Sequence, residues 1–169
     1  MLDDDFILNV SFDSFGPEPI AQLRIIVRDS MLVSALFVRE KTNASSPVSP
    51  VGQDILAWFQ AYLKGKNPSV RALPFDLRSV AGTAFQKACW EGLLAIPYGE
   101  VWSYKQLAQH IGAPKAVRAV GQANRINPLA LIVPCHRVIC SDGTLGGYMG
   151  REGGRVKERL LRHEGVLIV

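Results

Sequence analysis

The spacing of hydrophobic residues changes once along the chain, and this change limits the folds open to it. Apolar residues alternate with mostly polar neighbours over 6–12 and again over 23–27, before the apolar segment 31–38. This spacing predicts three strands in meander order, with one buried sheet face. Helical spacing begins after the Ser- and Pro-rich loop 41–52. The pattern predicts an α+β fold: a three-stranded antiparallel sheet with a helix, followed by a mostly helical part.

Two lobes are predicted within 169 residues, a length that allows one good hydrophobic core or two small ones. Apolar residues at i, i+3, i+4, i+7 and i+8 predict a helix that covers the sheet and ends at Gly65, namely Ile55, Trp58, Phe59, Tyr62 and Leu63. The stretch 66–80 has two prolines and little periodicity, which is typical of a connector. We therefore assign 1–80 to an N-terminal α/β lobe with its connector, and 81–169 to a second lobe.

Cysteine content and hydropathy narrow the functional class. The chain has 3 cysteines and a net charge of +4, and it opens on an acidic stretch instead of a basic-then-apolar leader. These features disfavour a secreted disulfide scaffold and predict a reducing compartment, the cytoplasm or, in a eukaryote, the nucleus. No segment approaches the roughly 18 consecutive apolar residues that a membrane span needs, so no membrane partner is expected.

The positive charge lies in the second half of the chain. Residues 81–169 contain eleven Lys and Arg against six Asp and Glu, whereas 1–80 contain eight against nine. The stretch 101–141 has no carboxylate, and its basic residues are Lys105, Lys115, Arg118, Arg125 and Arg137. A surface that faces phosphates requires such a stretch. The alternative is a solvated helical face with an accidental charge bias.

The second half starts with a predicted helix. Thr83 and Gln86 have capping-box spacing, and the apolar stripe that follows includes Phe85 and Cys89. Cys89 is therefore predicted to be a core residue.

Two short helices joined by a tight turn come next. Ser103 caps a predicted helix over 104–111, which Gly112 ends, and Pro114 is placed in the first turn of a second helix that runs to about Asn124. This arrangement predicts a helix-turn-helix, a motif shared by many folds.

The second of these helices is rich in small residues. Ala116, Ala119, Gly121 and Ala123 stand among few bulky side chains. Small residues let a helix backbone approach another surface closely. Tight packing against another helix and close docking in a DNA groove both explain them.

A candidate nucleophile follows the apolar run 129–133, which predicts a strand. A proline ends the run, and Cys135, His136 and Arg137 come directly after it. A cysteine in such a place is ordinarily an inert core residue, because burial raises the thiol pKa. Here a histidine supplies a base or proton relay, and basic neighbours favour thiolate. Metal binding by the cysteine, the histidine and Cys140 is the alternative, but no second cluster completes a zinc site, and no metal is expected.

Three motifs carry a family resemblance. PCHRVI at 134–139, RAVGQANRINP at 118–128 and IPYGEVWSYKQLA at 96–108 resemble the O6-alkylguanine-DNA alkyltransferases, also called methylated-DNA–protein-cysteine methyltransferases. The match spans about residues 83–165. The N-terminal half resembles the family only in its order of three strands and a helix.

The resemblance implies an enzyme for direct-reversal DNA repair. Such an enzyme flips O6-alkylguanine out of duplex DNA and moves the alkyl group irreversibly to its own cysteine, here Cys135, in a single turnover and without a cofactor. His136 would take the thiol proton through a water, and Glu164 would orient the imidazole. Asn127 would tie the recognition helix to the active-site turn, and Tyr104 would rotate the DNA phosphate and donate a hydrogen bond to the guanine. Taken singly, these last three also fit a solvated helix residue, a helix cap and a half-buried core residue.

The resemblance also implies how a monomer would bind double-stranded DNA through the minor groove. Arg118 matches the arginine that fills the space left by the flipped nucleotide. The other residues assigned to DNA binding are Lys115, Ala119, Gly121 and Arg125. The base pocket would be lined by Val138, Tyr148 and Met149, with the glycine-rich segment 143–150.

The sequence departs from the family pattern in two places. Met149 stands where many members carry a small hydroxyl residue, which puts the pocket size and the use of bulky free-base inhibitors in doubt. The segment 150–155 is longer than usual. Members with a structural zinc bind it through N-terminal Cys and His, and this chain has neither before Cys89, so no zinc is expected.

Other functional classes remain open at this point. A winged-helix regulator would use the same basic helix but has no use for the cysteine, and related non-catalytic lesion binders replace it. A Cys-His thiol hydrolase would need an oxyanion hole but not the acid-free basic stretch.

Overall fold

The structure is a computed structural model that describes residues 3–11, 21–38, 42–148 and 154–167. The chain divides into two compact units, Met1–Asp76 and Leu77–Val169. The division falls four residues before the predicted end of the first lobe. None of the helices in the described part is long and apolar enough to cross a membrane.

The first unit contains the predicted three-stranded sheet. Strands β1 (Asp4–Val10), β2 (Ala21–Arg28) and β3 (Met31–Phe37) pair antiparallel in that order. Asp29 and Ser30, between β2 and β3, both have positive φ, as a tight two-residue hairpin requires. The alternating pattern gives the buried face Phe6, Val10, Leu23, Ile25, Val27, Leu32 and Ala35. Phe12, at the end of the first pattern, lies outside the described residues.

Helix α1 (Pro50–Leu63) buries four of the five residues of the predicted apolar stripe, leaves Leu63 half-buried and packs against β1. The hydroxyl of Ser49 caps the helix by accepting from the backbone N–H of Gly52 at 2.9 Å. The carboxylate of Asp4, also buried, accepts from the backbone N–H groups of Val48 at 2.8 Å and Ser49 at 3.1 Å, and from the Ser49 hydroxyl. Asp4 therefore joins the start of β1 to the start of α1.

The second unit begins with helix α2 (Ala84–Leu93), where Thr83 and Gln86 form the predicted capping box. Cys89 is fully buried, as expected, and burial raises its thiol pKa to about 11. The indole N–H of Trp90, on the same helix, donates to the carbonyl of Ala123 at 2.9 Å.

A helix-turn-helix follows the short strand β4 (Trp102–Ser103). Helix α3 (Tyr104–His110) has a second capping box, and Gly112 has φ 73° just after its end. Helix α4 is Val117–Arg125, so the predicted start near Pro114 is wrong. The N–H of Ala116 bonds to the carbonyl of Ala113 at 2.9 Å, which closes a turn instead of a first helical turn.

The apolar run 129–133 is buried, but the predicted strand is wrong. The Val133 N–H bonds back to the Leu129 carbonyl at 2.8 Å, and Leu131 has φ 71°. The side chain of Asn127 bonds to the carbonyl of Val133 and the N–H of Leu129. Because a side chain and a local turn satisfy this backbone, it needs no partner strand.

The unit ends with three short elements. A 3₁₀ helix, Cys135–Arg137, leads into strand β5 (Val138–Ile139), which pairs parallel with β4. Helix α5 (Arg155–His163) follows, and its next residue, Glu164, is buried.

Candidate active site

Cys135 lies at the start of the 3₁₀ helix, and only 6% of it is exposed. The amide Nδ2 of Asn127 donates to its sulfur at 3.2 Å and to the carbonyl of Val133 at 2.7 Å. Ile126 is the C-cap of α4, and the Asn127 side chain bonds onward along the chain instead of capping that helix. The thiol is thus held next to the end of α4.

His136, Arg137 and Glu164 form a buried network. Nε2 of His136 lies 2.7 Å from Oε1 of Glu164. Arg137 donates Nε to Oε2 at 2.8 Å and Nη2 to Oε1 at 3.1 Å, and the backbone N–H of Gly99 donates to Oε2 at 3.3 Å. Because an ionised carboxylate only accepts, the histidine proton sits on Nε2, which leaves Nδ1 as the basic nitrogen. Nδ1 is buried and bonds to none of the described residues.

The pKa directions define the resting charges of this network. Burial raises the pKa of the Cys135 thiol, and the hydrogen bond from Asn127 offsets part of that rise. Burial lowers the pKa of His136 although Glu164 opposes the change. For Glu164, burial raises the pKa, but the bonds from His136 and Arg137 outweigh it and the net shift is downward. The resting site therefore contains a thiol, a neutral imidazole and a carboxylate.

Two aromatic residues border the thiol. Tyr148 is buried, with its ring centroid 6.5 Å from that of His136 and at a steep angle to it. Burial raises the pKa of Tyr104 to about 12, with smaller contributions from Cys140 and Cys135. Its hydroxyl therefore stays protonated and available as a donor at neutral pH. Val138 is buried, and Met149 lies outside the described residues.

Helix α4 presents different residues on its two sides. Val120, Ala123 and Asn124 are buried, and α4 packs against α2 and α3. The exposed side and the preceding turn carry the basic and small residues Lys115, Arg118, Ala119 and Arg125. Gly121 is half-buried, and a Cβ placed on it would lie 3.9 Å from Cε1 of Tyr104. Ala123 is buried, which fits tight packing against another helix, whereas Ala119 is exposed, and docking of α4 in a DNA groove stays a prediction.

Comparisons with known proteins assign the chain to a family. The family model described as 6-O-methylguanine DNA methyltransferase, DNA binding domain, matches residues 84–166. A methylated-DNA–protein-cysteine methyltransferase of Methanosarcina acetivorans is 50% identical over 143 residues, which covers 84% of this chain and 78% of the relative. The chain belongs to the methylated-DNA–protein-cysteine methyltransferase family.

Solved structures of the family agree with this fold. The crystal structure of Mycobacterium tuberculosis O6-methylguanine methyltransferase has a TM-score of 0.75 and 34% identity, covering 96% of this chain and 93% of that one. A crystal structure of Mycobacterium tuberculosis OGT in complex with DNA has a TM-score of 0.71 and 38% identity, covering 86% and 87%. Several other curated relatives match over 52–63% of their own length.

Lys157 is a site residue that the sequence reasoning missed. Its fully buried ammonium group donates to the carbonyls of Val138 at 2.6 Å, Leu145 at 2.5 Å and Gly147 at 3.4 Å. It also lies 5.8 Å from the centroid of the Tyr104 ring. Burial lowers its pKa to about 8, although Cys135 and Cys140 act in the opposite direction. The missed signal is helical spacing, because the buried side of α5 continues through Lys157, Leu160, Leu161 and Glu164.

The described residues contain no cluster of three or more His, Cys, Asp or Glu that could hold a metal ion. Around Cys135, the amide of Asn127 is bonded to the sulfur and the imidazole of His136 to Glu164. The arrangement supports chemistry by a thiolate with a basic imidazole beside it.

Proposed function

We propose that this protein repairs DNA by direct reversal, moving the alkyl group of O6-alkylguanine in duplex DNA irreversibly to Cys135 in a single turnover. Relatives carry the name methylated-DNA–protein-cysteine methyltransferase, and a similar structure is a complex with DNA. The observation that carries the proposal is a buried thiol held by Asn127 beside a neutral imidazole with a free basic nitrogen.

The reaction balances without a cofactor or metal. The Cys135 thiol gives its proton through a water to Nδ1 of His136, and Glu164 and Arg137 hold the imidazole in place. The thiolate attacks the alkyl carbon, a C–S bond forms, and the C–O6 bond breaks with its electron pair staying on guanine. The proton is returned to guanine at N1, so the products are guanine and a thioether. Burial of Cys135 keeps water from competing for the alkyl group.

The hydroxyl of Tyr104 donates a hydrogen bond to the guanine as negative charge develops on it. Asn127 holds the thiol against the segment that follows α4, and its donation to sulfur favours thiolate. Lys157 adds a positive charge that also favours thiolate. Val138 and Tyr148 line the pocket for the flipped base, and the family resemblance assigns Met149 to the same pocket.

The exposed side of α4 is the DNA-binding surface and enters the minor groove. The protein binds DNA as a monomer. Arg118 takes the space of the flipped nucleotide, and the neighbouring contacts come from Lys115, Ala119, Gly121 and Arg125. This assignment is supported by the exposed basic and small side chains on one helix face. The protein acts where the genome is, in the cytoplasm or, in a eukaryote, in the nucleus.

One experiment tests the proposal. Excess duplex containing O6-methylguanine should add one methyl group per chain, on the peptide with Cys135, after which activity stops. Cys135→Ser should bind the same duplex and transfer nothing. Continued turnover would favour a hydrolase, a methyl group on Cys89 would contradict the site, and binding without any transfer would leave a regulator or lesion binder.

A second arm tests base flipping. Arg118→Ala should slow transfer from saturating duplex by about tenfold or more, because extruding a stacked base costs a few kcal/mol. The same variant should react with a small free O6-alkylguanine at the wild-type rate, because a free base needs no extrusion. If saturating duplex at low salt restores the full rate, Arg118 is an ordinary phosphate contact.

A further inference from the structure

Asn124, on the buried side of α4, has a side chain whose hydrogen-bonding capacity is unused. The residue is 7% exposed, and neither Nδ2 nor Oδ1 bonds to any residue that the structure describes. A buried amide left in this condition costs about 1–3 kcal/mol per group. Asn127, by contrast, has partners for both amide atoms. An unpaired buried amide needs an explanation that packing does not provide.

The position of Asn124 points to the reaction site. Gly121 and Asn124 lie three residues apart on α4, and the backbone N–H of Asn127, two residues past the end of the helix, donates to the carbonyl of Asn124 at 3.3 Å. Gly121 adjoins the ring of Tyr104, and Asn127 touches the sulfur of Cys135. Along the chain, Asn124 therefore stands between a residue beside the phenol and a residue bonded to the nucleophile.

The lesion offers a pair of atoms that suits an amide. In O6-alkylguanine, N1 has a lone pair and no hydrogen, while the adjacent exocyclic N2 carries two hydrogens. One acceptor beside one donor is the complement of a carboxamide, and bidentate pairing of Asn with a base edge of this kind is well established for adenine. Ordinary guanine carries a hydrogen on N1, so its edge presents two donors and one of them would oppose Nδ2–H.

We propose that Asn124 is a specificity-determining residue that reads the N1–N2 edge of the flipped O6-alkylguanine, Nδ2 donating to N1 and Oδ1 accepting from N2. This inference rests on the proposed alkyl transfer. It has a consequence for the product as well. Return of a proton to N1 turns the acceptor into a donor, so repaired guanine fits Asn124 worse than the lesion does and is released.

The test uses two duplexes that differ only in the target base, O6-methylguanine and O6-methylhypoxanthine, which lacks the N2 amino group. Single-turnover transfer by the wild type should favour O6-methylguanine by about tenfold, the worth of one well-made hydrogen bond with its buried partner. Asn124→Leu, which matches the volume without the amide, should shrink that preference by about threefold or more. Taking the ratio of the two substrates within each variant removes differences in duplex binding.

Gln122→Leu is the matched control, since it makes the same change on the exposed side of α4 and should leave the substrate ratio unchanged. Asn124→Leu should not lower the melting temperature, because no hydrogen bond within the described part is lost. An unchanged ratio in Asn124→Leu and in Asn124→Ala would overturn the inference while leaving the transfer activity standing. Absence of transfer by the wild type from either duplex would instead overturn the proposed function.

Discussion

Both units bury a carboxylate, but they surround it differently. In the first unit, Asp4 accepts from two backbone N–H groups and from the Ser49 hydroxyl, all within the join between β1 and α1. In the second unit, Glu164 is bonded as fully, but other buried polar groups of that unit are not: Nδ1 of His136 and the amide of Asn124 bond to none of the described residues. The hydrogen bonds of the Asp4 cluster are complete within the folded chain, whereas the second unit has buried polar atoms without a partner among the described residues, which we propose are used by the substrate.

The difference separates a structural cluster from the one that we propose to be reactive. Every buried polar group without a partner lowers stability, so a fold keeps such groups only where something else selects them. Among the described residues of the second unit, the two buried ionised groups do not add to this loss of stability, because Glu164 and Lys157 are each held by three or more hydrogen bonds. Glu164 is fully hydrogen-bonded, while the imidazole that it orients keeps Nδ1 without a bond to any described residue.

Replacing Glu164 should test the reactive cluster most severely. Glu164→Gln removes the charge that holds the proton on Nε2 of His136, and we expect transfer from O6-methylguanine duplex to slow by about 10³-fold, within the usual range for a general base. Single-turnover kinetics at saturating duplex measure the effect, and duplex affinity should stay close to the wild-type value. Arg137→Gln is the matched control, because it breaks the ion pair but keeps the carboxylate on His136. A larger loss of transfer in that control would show that the ion pair, not the imidazole, matters.

Asp4→Asn should destabilise the first unit without touching the chemistry. The amide supplies one acceptor oxygen to groups that now share two, so the free energy of unfolding at pH 7 should fall by about 2–3 kcal/mol. Burial raises the pKa of Asp4, but the bonds from Ser49 and Val48 outweigh it and set the pKa below its usual value of 3.8. Its stabilisation is therefore present above pH 3.8 and is lost as the pH falls through the folded-state pKa. Urea denaturation at pH 7 and in acid should show the difference between wild type and variant shrinking.

The neighbouring Asp5→Asn controls for charge alone. Asp5 pairs with Arg24 on the exposed sheet face, where an ion pair contributes about 0–1 kcal/mol. Methyl transfer per folded molecule should be unchanged in both variants, because the reactive site is built from residues of the second unit. Equal destabilisation by the two substitutions would contradict the special place given to Asp4.

Replacing Lys157 should have the smallest of these effects. We expect alkyl transfer at pH 7 to slow by about tenfold, which corresponds to a rise of one unit in the pKa of the Cys135 thiol. Lys157→Met removes the charge and the hydrogen bonds, whereas Lys157→Gln removes the charge but keeps a donor. If the charge favours thiolate, both variants should reach half-maximal transfer at a higher pH than the wild type. The wild-type advantage should be present below pH 8 and fade above it, because Lys157 has a pKa of about 8. Recovery of the wild-type profile by Gln would assign Lys157 to bracing the carbonyls instead.

Local patterns made much of the fold predictable. The alternating strands, the stripe Ile55, Trp58, Phe59 and Tyr62, the capping box at Thr83 and the helix cap at Ser103 depend on residues close in sequence, and each is found in the structure. The wrong predictions concern segments whose conformation depends on hydrogen bonds that no local sequence pattern shows. The hydrophobic run 129–133 has the composition of a strand, but the side chain of Asn127 bonds to its backbone and no strand forms. Pro114 is typical of a helix start, but a turn closed by the N–H of Ala116 comes first and α4 begins later.

The candidate site divides in the same way. Cys135 and His136 adjoin in the sequence, and family resemblance pointed to Asn127, Tyr104 and Glu164, which the structure brings around the thiol. Lys157 and Asn124 went unnoticed because their importance lies in what surrounds them. In a sequence, a lysine is ordinarily interpreted as solvent-exposed and an asparagine as the end of a helix. Only the folded unit shows that both side chains are buried.

The order of the site residues along the chain sets the order in which they are synthesised. The nucleophile and its histidine are synthesised before their carboxylate, since Glu164 follows His136 by 28 residues and also binds the backbone of Gly99, 65 residues earlier. At ordinary translation rates the gap after His136 lasts about 1.5–6 s. During that interval Cys135 is an ordinary thiol without an oriented base. The imidazole beside Cys135 is therefore oriented only after the last helix of the second unit has been made and has folded.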